Sequence, residues 1–578
     1  MQNASHDKIT NRKIANLFSE IALYLRAEEV PFKPQAYEIA AENIRALEEE
    51  LSSSYKKCGK KCIDEIPGIG KSMVEKIEEL IQTGKLKYFD QLKKKYPFEM
   101  LELTNIQDVG PKTALTLYKK LKVKSVDDLL RAAEKGSIAK IPHMGTKTQR
   151  NILRGIQFLK SSSGRRIIHQ VLPLAQNIVK KLKSVQGVTH IDIAGSLRRR
   201  KESIGDIDLL ATTSNPKQLI KTFVSLPEVE QVLEEGTEKA MVRYTFGMQG
   251  DLLILKPSEY GAALLHFTGS REHNILLREL AMKKKMKLSE HGLVRGKKLI
   301  ASKTEKQVYV ALGLQEIPPE IRVGADEIEL AQKQKIPELI PYNSLKGDLQ
   351  VQTDWSDGDS SIEETVSAAK TFGLSYFAVT DHTQSLTITN GLNEKRLLEQ
   401  GKAIDKLNKK LKNFRVLKST ECDVKKDGSL DLSDRALKTL DVVSVSVHSN
   451  RNMEKKEMTA RIIRALKHPL VHIFFHPSGR IVNVRDGYNV DMDQIIKAAK
   501  EYHVALEVNG SERLDLHEKY IRQAIEHGVK LVISSDAHAP KHFVNLDYGI
   551  GQARRGWATK ADVLNTKTVD AFLKAIKK

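Results

Sequence analysis

The chain of 578 residues carries 94 Lys and Arg residues against 73 Asp and Glu residues, a formal net charge of +21 at pH 7. This length exceeds what one hydrophobic core supports and predicts roughly three to five domains, while the charge favours a polyanionic partner, which from charge alone is DNA, RNA or a membrane surface. The polar start of the chain, the lack of apolar runs of ~18 residues and the presence of only Cys58, Cys62 and Cys422 argue against membrane insertion, secretion and a disulfide framework, so we expect a cytoplasmic protein with no membrane partner.

Three turns of one design recur about every 35 to 40 residues in the first third of the chain, at 66–71, 106–112 and 141–147. Each has a Gly followed by a basic residue and a helix-patterned segment. Gly lets the backbone approach a phosphate closely, and the helix that follows offers free N–H groups and its positive dipole end. The pattern resembles the helix-hairpin-helix family, which binds the DNA backbone without reading sequence. The residues we expect to contact DNA are Gly68, Gly70, Lys71, Gly110 and Lys112.

The match to this pattern weakens along the chain, because Asp108 and His143 stand where the first turn has its first Gly. The alternative is that such turns only join packed helices. The first turn is therefore the best candidate for DNA binding, the second follows it, and for the third both interpretations stay open.

Asp206 and Asp208 lie two residues apart in an apolar run, so on a strand both carboxylates point to one face. Asp251 opens a second apolar run and could supply a third carboxylate. Three converging carboxylates predict a site for two divalent ions, Mg²⁺ or Mn²⁺, of the kind that drives phosphoryl transfer. This is the chemistry of a nucleotidyltransferase.

Asp-x-Asp pairs also occur at strand ends that only cap a helix or face solvent, so the carboxylates need support from their surroundings. Gly195 and Ser196 offer a tight turn, backbone N–H groups and a hydroxyl to a triphosphate. The run 198–200, which includes Arg199, adds positive charge. The agreement of these parts favours the catalytic interpretation.

With these features together, residues from about 8 to 316 resemble a family X DNA polymerase of the beta-polymerase type. The segment 266–270, His-Phe-Thr-Gly-Ser, is similar to the family's Tyr-Phe-Thr-Gly-Ser segment, and 288–293 is similar to its closing thumb motif. The resemblance implies templated addition of a deoxynucleoside triphosphate to a DNA primer. The nucleotide contacts that it implies are Gly195, Ser196, Arg199, Gly205, His266, Phe267, Gly269, Ser270, Asn274 and Arg278.

Two residues depart from the family pattern: His266 replaces a Tyr that senses the sugar, and Ile204 replaces a phosphate-binding Ser. Two other functions also stay open, a template-independent nucleotidyltransferase and a catalytically silent DNA-binding repair scaffold. Asn274 and Arg278, at positions where the family touches the nascent base pair, favour templated synthesis.

The amino-terminal segment is similar to the family's lyase domain, in which a Lys forms a Schiff base with the aldehyde of a 5′-deoxyribose phosphate. Glu75-Lys76-Ile77 matches that motif and makes Lys76 the candidate nucleophile. Such a Lys needs a pKa lowered by burial or by neighbouring cations, for which Lys33 is one candidate. The alternative, a solvated lysine on a helix face, stays open.

Beyond Pro318-Pro319, a charged linker leads to seven strand-like runs separated by helix-length stretches. Metal-ligand side chains follow these runs, and ligands at the carboxyl ends of successive parallel strands are typical of a β/α barrel. The segment from 347 to about 560 resembles the PHP phosphoesterase domain. The resemblance implies three ions, Mn²⁺ or Zn²⁺, and a 3′-5′ exonuclease with abasic-site cleavage. The expected ligands are Asp357, His382, Glu421, His448, His476, Asp536 and His538.

The opening motif of the PHP family carries His-x-His, whereas this chain has Gln350 and Gln352. A neutral amide oxygen binds Zn²⁺ or Mn²⁺ much more weakly than imidazole. Two outcomes are compatible with this change, an impaired nuclease with fewer ions and a barrel kept for packing and DNA guidance.

We therefore predict a multidomain protein with α-helical helix-hairpin-helix domains, an α/β nucleotidyltransferase palm with a thumb, and a C-terminal parallel β/α (PHP) barrel. We expect it to act as a monomer on gapped or primer-template DNA. The predicted boundaries are 1–93 lyase-like domain, 94–164 fingers-like domain, 165–256 palm, 257–318 thumb, 319–346 linker and 347–578 PHP domain.

Overall fold

The computed structural model describes residues 9–45, 47, 50–66, 68–98, 100–104, 106, 109–142, 144–146, 148–150, 152–153, 156 and 165–577. The chain forms two compact units, Met1–Gly164 and Arg165–Lys578. Among the described residues, we find no helix with the length and apolar character of a membrane span.

The first unit is helical in its described part. Its helices are amphipathic: in the fifth of them Met73, Val74, Ile77 and Leu80 recur at helical spacing and are buried. These apolar faces meet in one core with Phe18 and Ile21. The α-helices of this unit are α1 (Asn11–Ala27), α2 (Lys33–Arg45), α3 (Leu51–Cys58), α4 (Lys60–Asp64), α5 (Lys71–Thr83), α6 (Lys87–Lys95), α7 (Met100–Thr104), α8 (Pro111–Leu121) and α9 (Val126–Glu134).

Cys58 and Cys62 form a disulfide across the junction of α3 and α4, with their Cα atoms 5.8 Å apart. The sequence indicated no disulfide framework, and the structure contains this one bond among its described residues. The chain turns at Gly59, whose φ is +62°, and this turn brings the two side chains together. Cys422 is a buried free thiol.

The second unit begins with a five-stranded sheet of order β2-β4-β7-β6-β5. Strands β4 and β7 pair in parallel, and the other pairs are antiparallel. Helices α10 and α12 pack on it through residues such as Ile178 and Phe223. The elements are β1 (Arg166–Ile167), α10 (Ile168–Lys183), β2 (Val188–Ile193), α11 (Gly195–Arg198), β3 (Ser203–Ile204), β4 (Asp206–Thr213), α12 (Pro216–Val224), β5 (Val229–Glu235), β6 (Lys239–Tyr244) and β7 (Gln249–Ile254).

The thumb follows, with a three-stranded antiparallel sheet. The stretch expected to be a linker is instead packed, since Ile336, Leu339 and Ile340 are buried. Ile336 and Leu339 join the thumb's hydrophobic core. The elements here are α13 (Tyr260–Thr268), α14 (Arg271–Lys283), β8 (Lys287–Ser289), β9 (Gly292–Arg295), β10 (Lys298–Ala301), α15 (Glu305–Ala311) and α16 (Glu327–Gln332).

The last part of the chain is a barrel of parallel strands, which confirms the predicted fold class. Two parallel sheets, β11-β12-β13 and β14-β15-β16-β17-β18, are joined by the bridges His382–Glu421 and Val351–Ala537. Most strand residues are buried, and they include polar ones, such as Asp348 and Gln350 in β11 and Glu421 in β14. They are β11 (Gly347–Val351), β12 (Tyr376–Val379), β13 (Arg415–Lys418), β14 (Glu421–Asp423), β15 (Ser444–Ser446), β16 (Ile473–Phe474), β17 (Ala505–Asn509) and β18 (Leu531–Ser534). The helices are α17 (Ile362–Phe372), α18 (Glu394–Asn408), α19 (Asp434–Leu437), α20 (Lys455–Leu466), α21 (Met492–Glu501), α22 (Glu518–Glu526), α23 (Asn545–Arg555) and α24 (Val569–Ile576).

Candidate active sites

Two helices of the first unit begin at the predicted DNA-binding glycines. Gly70 is the N-cap of α5 and Gly110 the N-cap of α8, and neither helix start has a side-chain cap. A Cβ at either glycine would meet no atom within 4 Å, so both helix ends are open to a ligand. Lys71 begins α5, and Lys112 pairs with the exposed Glu29 at 2.6 Å.

Gly68 has a structural reason to be Gly. Its φ is +78°, and a Cβ there would lie 2.7 Å from Cγ2 of Ile39. In the second and third turns, Asp108, His143 and Lys147 lie outside the described residues.

Lys76 lies partly buried on α5, where its Nζ donates to the carbonyl of Ser72 at 2.9 Å and sits 5.2 Å from the ring centre of Tyr88. Burial lowers its pKa, and the positive charge of Lys33 lowers it further, whereas Glu75 opposes the shift. These surroundings suit an amine nucleophile.

The three palm carboxylates project from the parallel pair of β4 and β7. Asp208 stands opposite Asp251 in the register, and Asp206 lies on the same strand two residues before Asp208. Side chains two apart on a strand share a face. The sheet therefore supplies two of the carboxylates from one strand and the third from its neighbour.

Burial and neighbouring carboxylates raise the pKa of two of these groups, Asp208 and Asp251. For Asp208, burial and repulsion from Asp206 and Asp251 outweigh the attraction of Arg199 and raise the pKa to about 7. Burial also raises the pKa of Asp251, against a hydrogen bond from Gln249. Three carboxylates this close together fit divalent cations that prefer oxygen ligands, such as Mg²⁺ or Mn²⁺.

Gly195 allows the triphosphate loop, the turn from Gly195 to Lys201 that we expect to bind the triphosphate, to lie directly against Asp208. Its φ is +59°, and a Cβ would lie 1.8 Å from Oδ2 of Asp208. Any other residue would displace this carboxylate. Next to it, the Ser196 hydroxyl is buried without a hydrogen-bond partner.

One cleft of about 480 Å³ collects most of the predicted nucleotide contacts. The sequence missed three of its basic residues, Arg165, Lys201 and Arg271, because no spacing motif marks them. Arg165 donates from Nε to Ser203 Oγ at 2.8 Å, which fixes its position. The lining residues are Arg165, Gly195, Ser196, Arg199, Lys201, Asp206, Asp208, His266, Phe267, Gly269, Arg271, Asn274 and Arg278.

Two other predicted contacts have structural roles. A Cβ on Gly205 would lie 3.0 Å from Nη1 of Arg165, so Gly205 makes room for that side chain. Ser270 caps α14 by accepting from the backbone N–H of His273 at 3.2 Å. Ile204, the residue that departs from the family's Ser, is fully buried.

His266 and Asn274 form one wall of the cleft. The Asn274 amide donates to the carbonyl of His266 at 2.6 Å, which ties α14 to α13. Burial lowers the pKa of His266. Arg278 lies one helical turn beyond Asn274 and is exposed, in a position to reach a ligand.

A buried ion network joins Arg198, next to the predicted nucleotide contact Arg199, to the thumb. Arg198 and Arg322 both bind Glu305, each with a contact of 2.6 Å. Arg198 also donates to the Thr268 hydroxyl at 2.6 Å. Burial alone would raise the pKa of Glu305, but the two arginines outweigh it and lower the pKa to about 2.

The barrel brings the seven predicted PHP residues to one end. Glu421 is at the centre, 2.8 Å from Nε2 of His476, 3.1 Å from Nε2 of His448 and 3.6 Å from Nδ1 of His382. Asp357 lies 3.6 Å from His382 and 3.7 Å from His538. Ligand atoms lie within 4.8 Å of one another in two overlapping groups, Asp357, His382 and His538, and His382, Glu421 and His448.

Gln350 and Gln352 turn their amides toward Glu421. Both donate from Nε2 to the same Glu421 oxygen, at 3.1 and 3.0 Å. The orientation of Gln350 follows from its neighbours. The backbone N–H of Ser511 donates to Oδ1 of Asn509 at 3.0 Å, so the Asn509 amide must donate to Oε1 of Gln350, also at 3.0 Å. Only the Nε2 group of Gln350 is then left for Glu421.

The donor set fits one ion better than three. Asp357, His382 and His538 suit Mn²⁺ or Zn²⁺. Glu421 already accepts hydrogen bonds from two glutamines and from His476. Arg513, which the sequence did not indicate, lies 3.3 Å from Asp536 and lowers its pKa against the effect of burial. A three-ion PHP site therefore does not fit this chain.

Family models match four parts of the chain. They are a helix-hairpin-helix domain over residues 9–86, a SAM-like helix-hairpin-helix tandem over 100–157, a DNA polymerase beta thumb over 263–323 and a PHP domain over 348–511. These matches follow the chain order of the predicted domains.

Similar proteins cover either the whole chain or one half of it. DNA polymerase/3′-5′ exonuclease PolX of Bacillus subtilis (strain 168) is 34% identical over 572 residues, 97% of this chain and 99% of the relative. DNA polymerase lambda of Rattus norvegicus is 26% identical over 54% of this chain and 56% of its own length. A probable phosphatase of Thermoanaerobacter sp. (strain X514) is 29% identical over 36% of this chain and 84% of its own length.

Proposed function

Because the chain belongs to the family X DNA polymerases that carry a C-terminal PHP domain, we propose that its polymerase activity fills short gaps in DNA during base excision repair. The observation that carries this proposal is the shared cleft. Two of the carboxylates, the triphosphate loop and the residues Asn274 and Arg278 all line it. Helix-hairpin-helix domains supply sequence-independent contact with DNA.

Each group has a defined role in this proposal. Asp206 and Asp208 would hold the metal ion of the incoming nucleotide, and these two with Asp251 the ion at the primer terminus. Bound there, Mg²⁺ or Mn²⁺ lowers the pKa of the primer 3′-hydroxyl and stabilises charge on the transferred phosphate. Ser196 and Arg199 would bind the triphosphate with the backbone N–H groups of the loop.

Gap filling is tested with a labelled primer on a one-nucleotide-gapped duplex, with Mg²⁺ or Mn²⁺ and the four deoxynucleotides. We expect wild type to add the templated nucleotide and Asp208→Ala to add none. Asp570→Asn, on a side chain that is 89% exposed in the barrel, is the matched control and should extend normally. Extension of a single-stranded primer at the same rate would instead support template-independent transfer, and no extension would support the silent scaffold.

We propose two accessory activities. Lys76 acts as the lyase nucleophile, supported by its partial burial and lowered pKa. The barrel acts as a weakened 3′-5′ nuclease that uses the ligands Asp357, His382 and His538, supported by the amide contacts that occupy Glu421.

The nuclease proposal is tested by metal analysis and by 3′ shortening of labelled DNA. We expect Gln350→His/Gln352→His to bind more Mn²⁺ per chain than wild type and to shorten DNA faster. Equal metal content and equal rates in the two proteins would refute the proposal that the glutamines weaken the site.

A further inference from the structure

One helix of the barrel lies along the loop that binds the triphosphate. Tyr548, Gln552 and Arg555 are spaced i, i+4 and i+7 on α23, so they share one face. That face meets the palm. The ring centres of Tyr548 and His169 lie 3.9 Å apart, and a Cβ added at Gly551 would lie 3.5 Å from Cβ of Arg200.

Two side chains of this helix donate hydrogen bonds to the palm segment 199–202. Arg555 donates from Nη1 to the carbonyl of Arg199 at 3.2 Å, and Gln552 donates to the Glu202 carboxylate at 2.6 Å. Both side chains are buried, with 7% and 2% of their surface exposed. Because Arg199 and Lys201 line the cleft, these contacts fix the segment from which the phosphate-binding cations project.

A second barrel residue holds the same carboxylate. Arg480 donates with both terminal nitrogens to Glu202, one of them at 3.1 Å, and it also donates to the carbonyl of Leu514. Leu514 is a barrel residue whose side chain is buried in the hydrophobic core of the palm. A bidentate contact from a guanidinium group fixes the orientation of the carboxylate as well as its distance.

The ligand-type atoms near Glu202 do not form a second metal site. Those of Glu202, His517 and Glu518 lie within 4.8 Å of one another. However, Arg480 pairs with Glu202 and Arg555 pairs with Glu518, so arginines already balance both carboxylates. The cluster is an ion network between the barrel and the palm.

We propose that the barrel is a working part of the polymerase: Arg480, Gln552 and Arg555 are positioning residues that hold Glu202 and the Arg199 carbonyl so that the loop is ready for the triphosphate. This inference rests on the proposed polymerase function. The proposed role of the three residues does not require nuclease activity in the barrel. The polymerase would therefore need the barrel even though Gln350 and Gln352 replace two expected ion ligands. A loop held in its binding geometry loses less entropy when the nucleotide binds.

The test uses the full chain and single-turnover filling of a one-nucleotide gap at varied nucleotide concentration. We expect Arg480→Gln and Gln552→Ala to raise the nucleotide dissociation constant by roughly tenfold, the effect of about one charge-assisted hydrogen bond, and to leave binding of gapped DNA unchanged. Arg480→Lys should recover part of the lost nucleotide affinity, because lysine keeps the positive charge but cannot make the second hydrogen bond of the bidentate contact.

Arg522→Gln is the matched control. Arg522 also joins the barrel to the preceding segment, through Asp326 at 2.8 Å, but it does not contact the loop. We expect this variant to keep the wild-type dissociation constant for nucleotide.

In a double-mutant cycle of Glu202→Gln and Arg480→Gln, the effects on the nucleotide dissociation constant should be non-additive, because each change removes the same contact. The inference is overturned if these variants lose activity only in proportion to the loss of folded protein, with an unchanged nucleotide dissociation constant. Failure of wild type to fill the gap would refute the proposed function itself and is therefore a separate outcome.

Discussion

Asp208→Asn should make the metal-free protein more stable while it abolishes polymerisation. Burial and the two neighbouring carboxylates raise the pKa of Asp208 from 3.8 to about 7. The ionised form is therefore disfavoured in the folded state, and stability is lost as pH rises from about 4 to about 7. The shift corresponds to about 4 kcal/mol at and above pH 7, and to on the order of 2 kcal/mol once water in the open cleft screens the charges.

The assay is thermal unfolding at fixed scan rate, without and with Mg²⁺, at several pH values. Asparagine removes the repulsion, so we expect the melting temperature of the metal-free variant to exceed that of wild type at pH 8, and the two to converge near pH 4. Mg²⁺ should raise the melting temperature of wild type much more than that of the variant. Asp570→Asn, at an exposed site, should follow wild type throughout.

The reasoning is refuted if metal-free Asp208→Asn is less stable than wild type at pH 8. That result would mean that the three carboxylates do not destabilise one another in the folded protein. An equal Mg²⁺ response in both proteins would show that the ion binds elsewhere.

Three further predictions concern residues outside this carboxylate group. Gly195→Ala should lower the rate of gap filling at least a hundredfold in single-turnover assays with intact folding by circular dichroism, because its Cβ would lie 1.8 Å from Asp208. Glu305→Gln should cost about 3 kcal/mol of stability at neutral pH, measured by denaturant unfolding. The difference in free energy of unfolding between wild type and Glu305→Gln should shrink as pH falls from about 4.5 to about 2, because the pKa of the Glu305 carboxyl is lowered to about 2. Lys76→Arg should abolish borohydride trapping on a 5′-deoxyribose phosphate end and leave gap filling unchanged, whereas trapping that persists would assign the lyase to another amine.

The palm site could be predicted from sequence because its chemistry lies in short spacings. Asp206 and Asp208 share a strand, and Gly195 is followed by Ser196 and a run of arginines, so the strand period and the residue types are enough to predict the site. The register that sets Asp251 opposite Asp208 depends on a pairing between distant segments, and only the structure shows it. Arg165 and Lys201 were missed for the same reason, since one surface lysine or arginine resembles another until the fold brings it to the cleft.

The barrel site also depends on hydrogen bonds that the residue types alone do not predict. The strand ends indicated Glu421 and the histidines, and the replacement of two expected histidines indicated a weakened ion site. Which way an amide points is decided by its hydrogen-bond partners, and the chain from Ser511 through Asn509 to Gln350 is not a sequence pattern. The disulfide of the first unit also depends on the fold, because cysteines four positions apart can bond only where the backbone brings their Cα atoms close enough, here to 5.8 Å.

The proposed ion site and the contacts that hold the palm use different residues of the barrel. The proposed ion ligands follow the carboxyl ends of the strands. Arg480 also follows the carboxyl end of β16, whereas Gln552 and Arg555 lie on α23. Gln350 hydrogen-bonds to Glu421 and Asn509, whereas the contacts to Glu202 and to the Arg199 carbonyl come from other barrel residues. We therefore expect a substitution that weakens the proposed ion site to leave the contacts of Gln552 and Arg555 with the palm in place. Nucleotide binding should depend on α23 and Arg480, and nuclease activity on the strand ends.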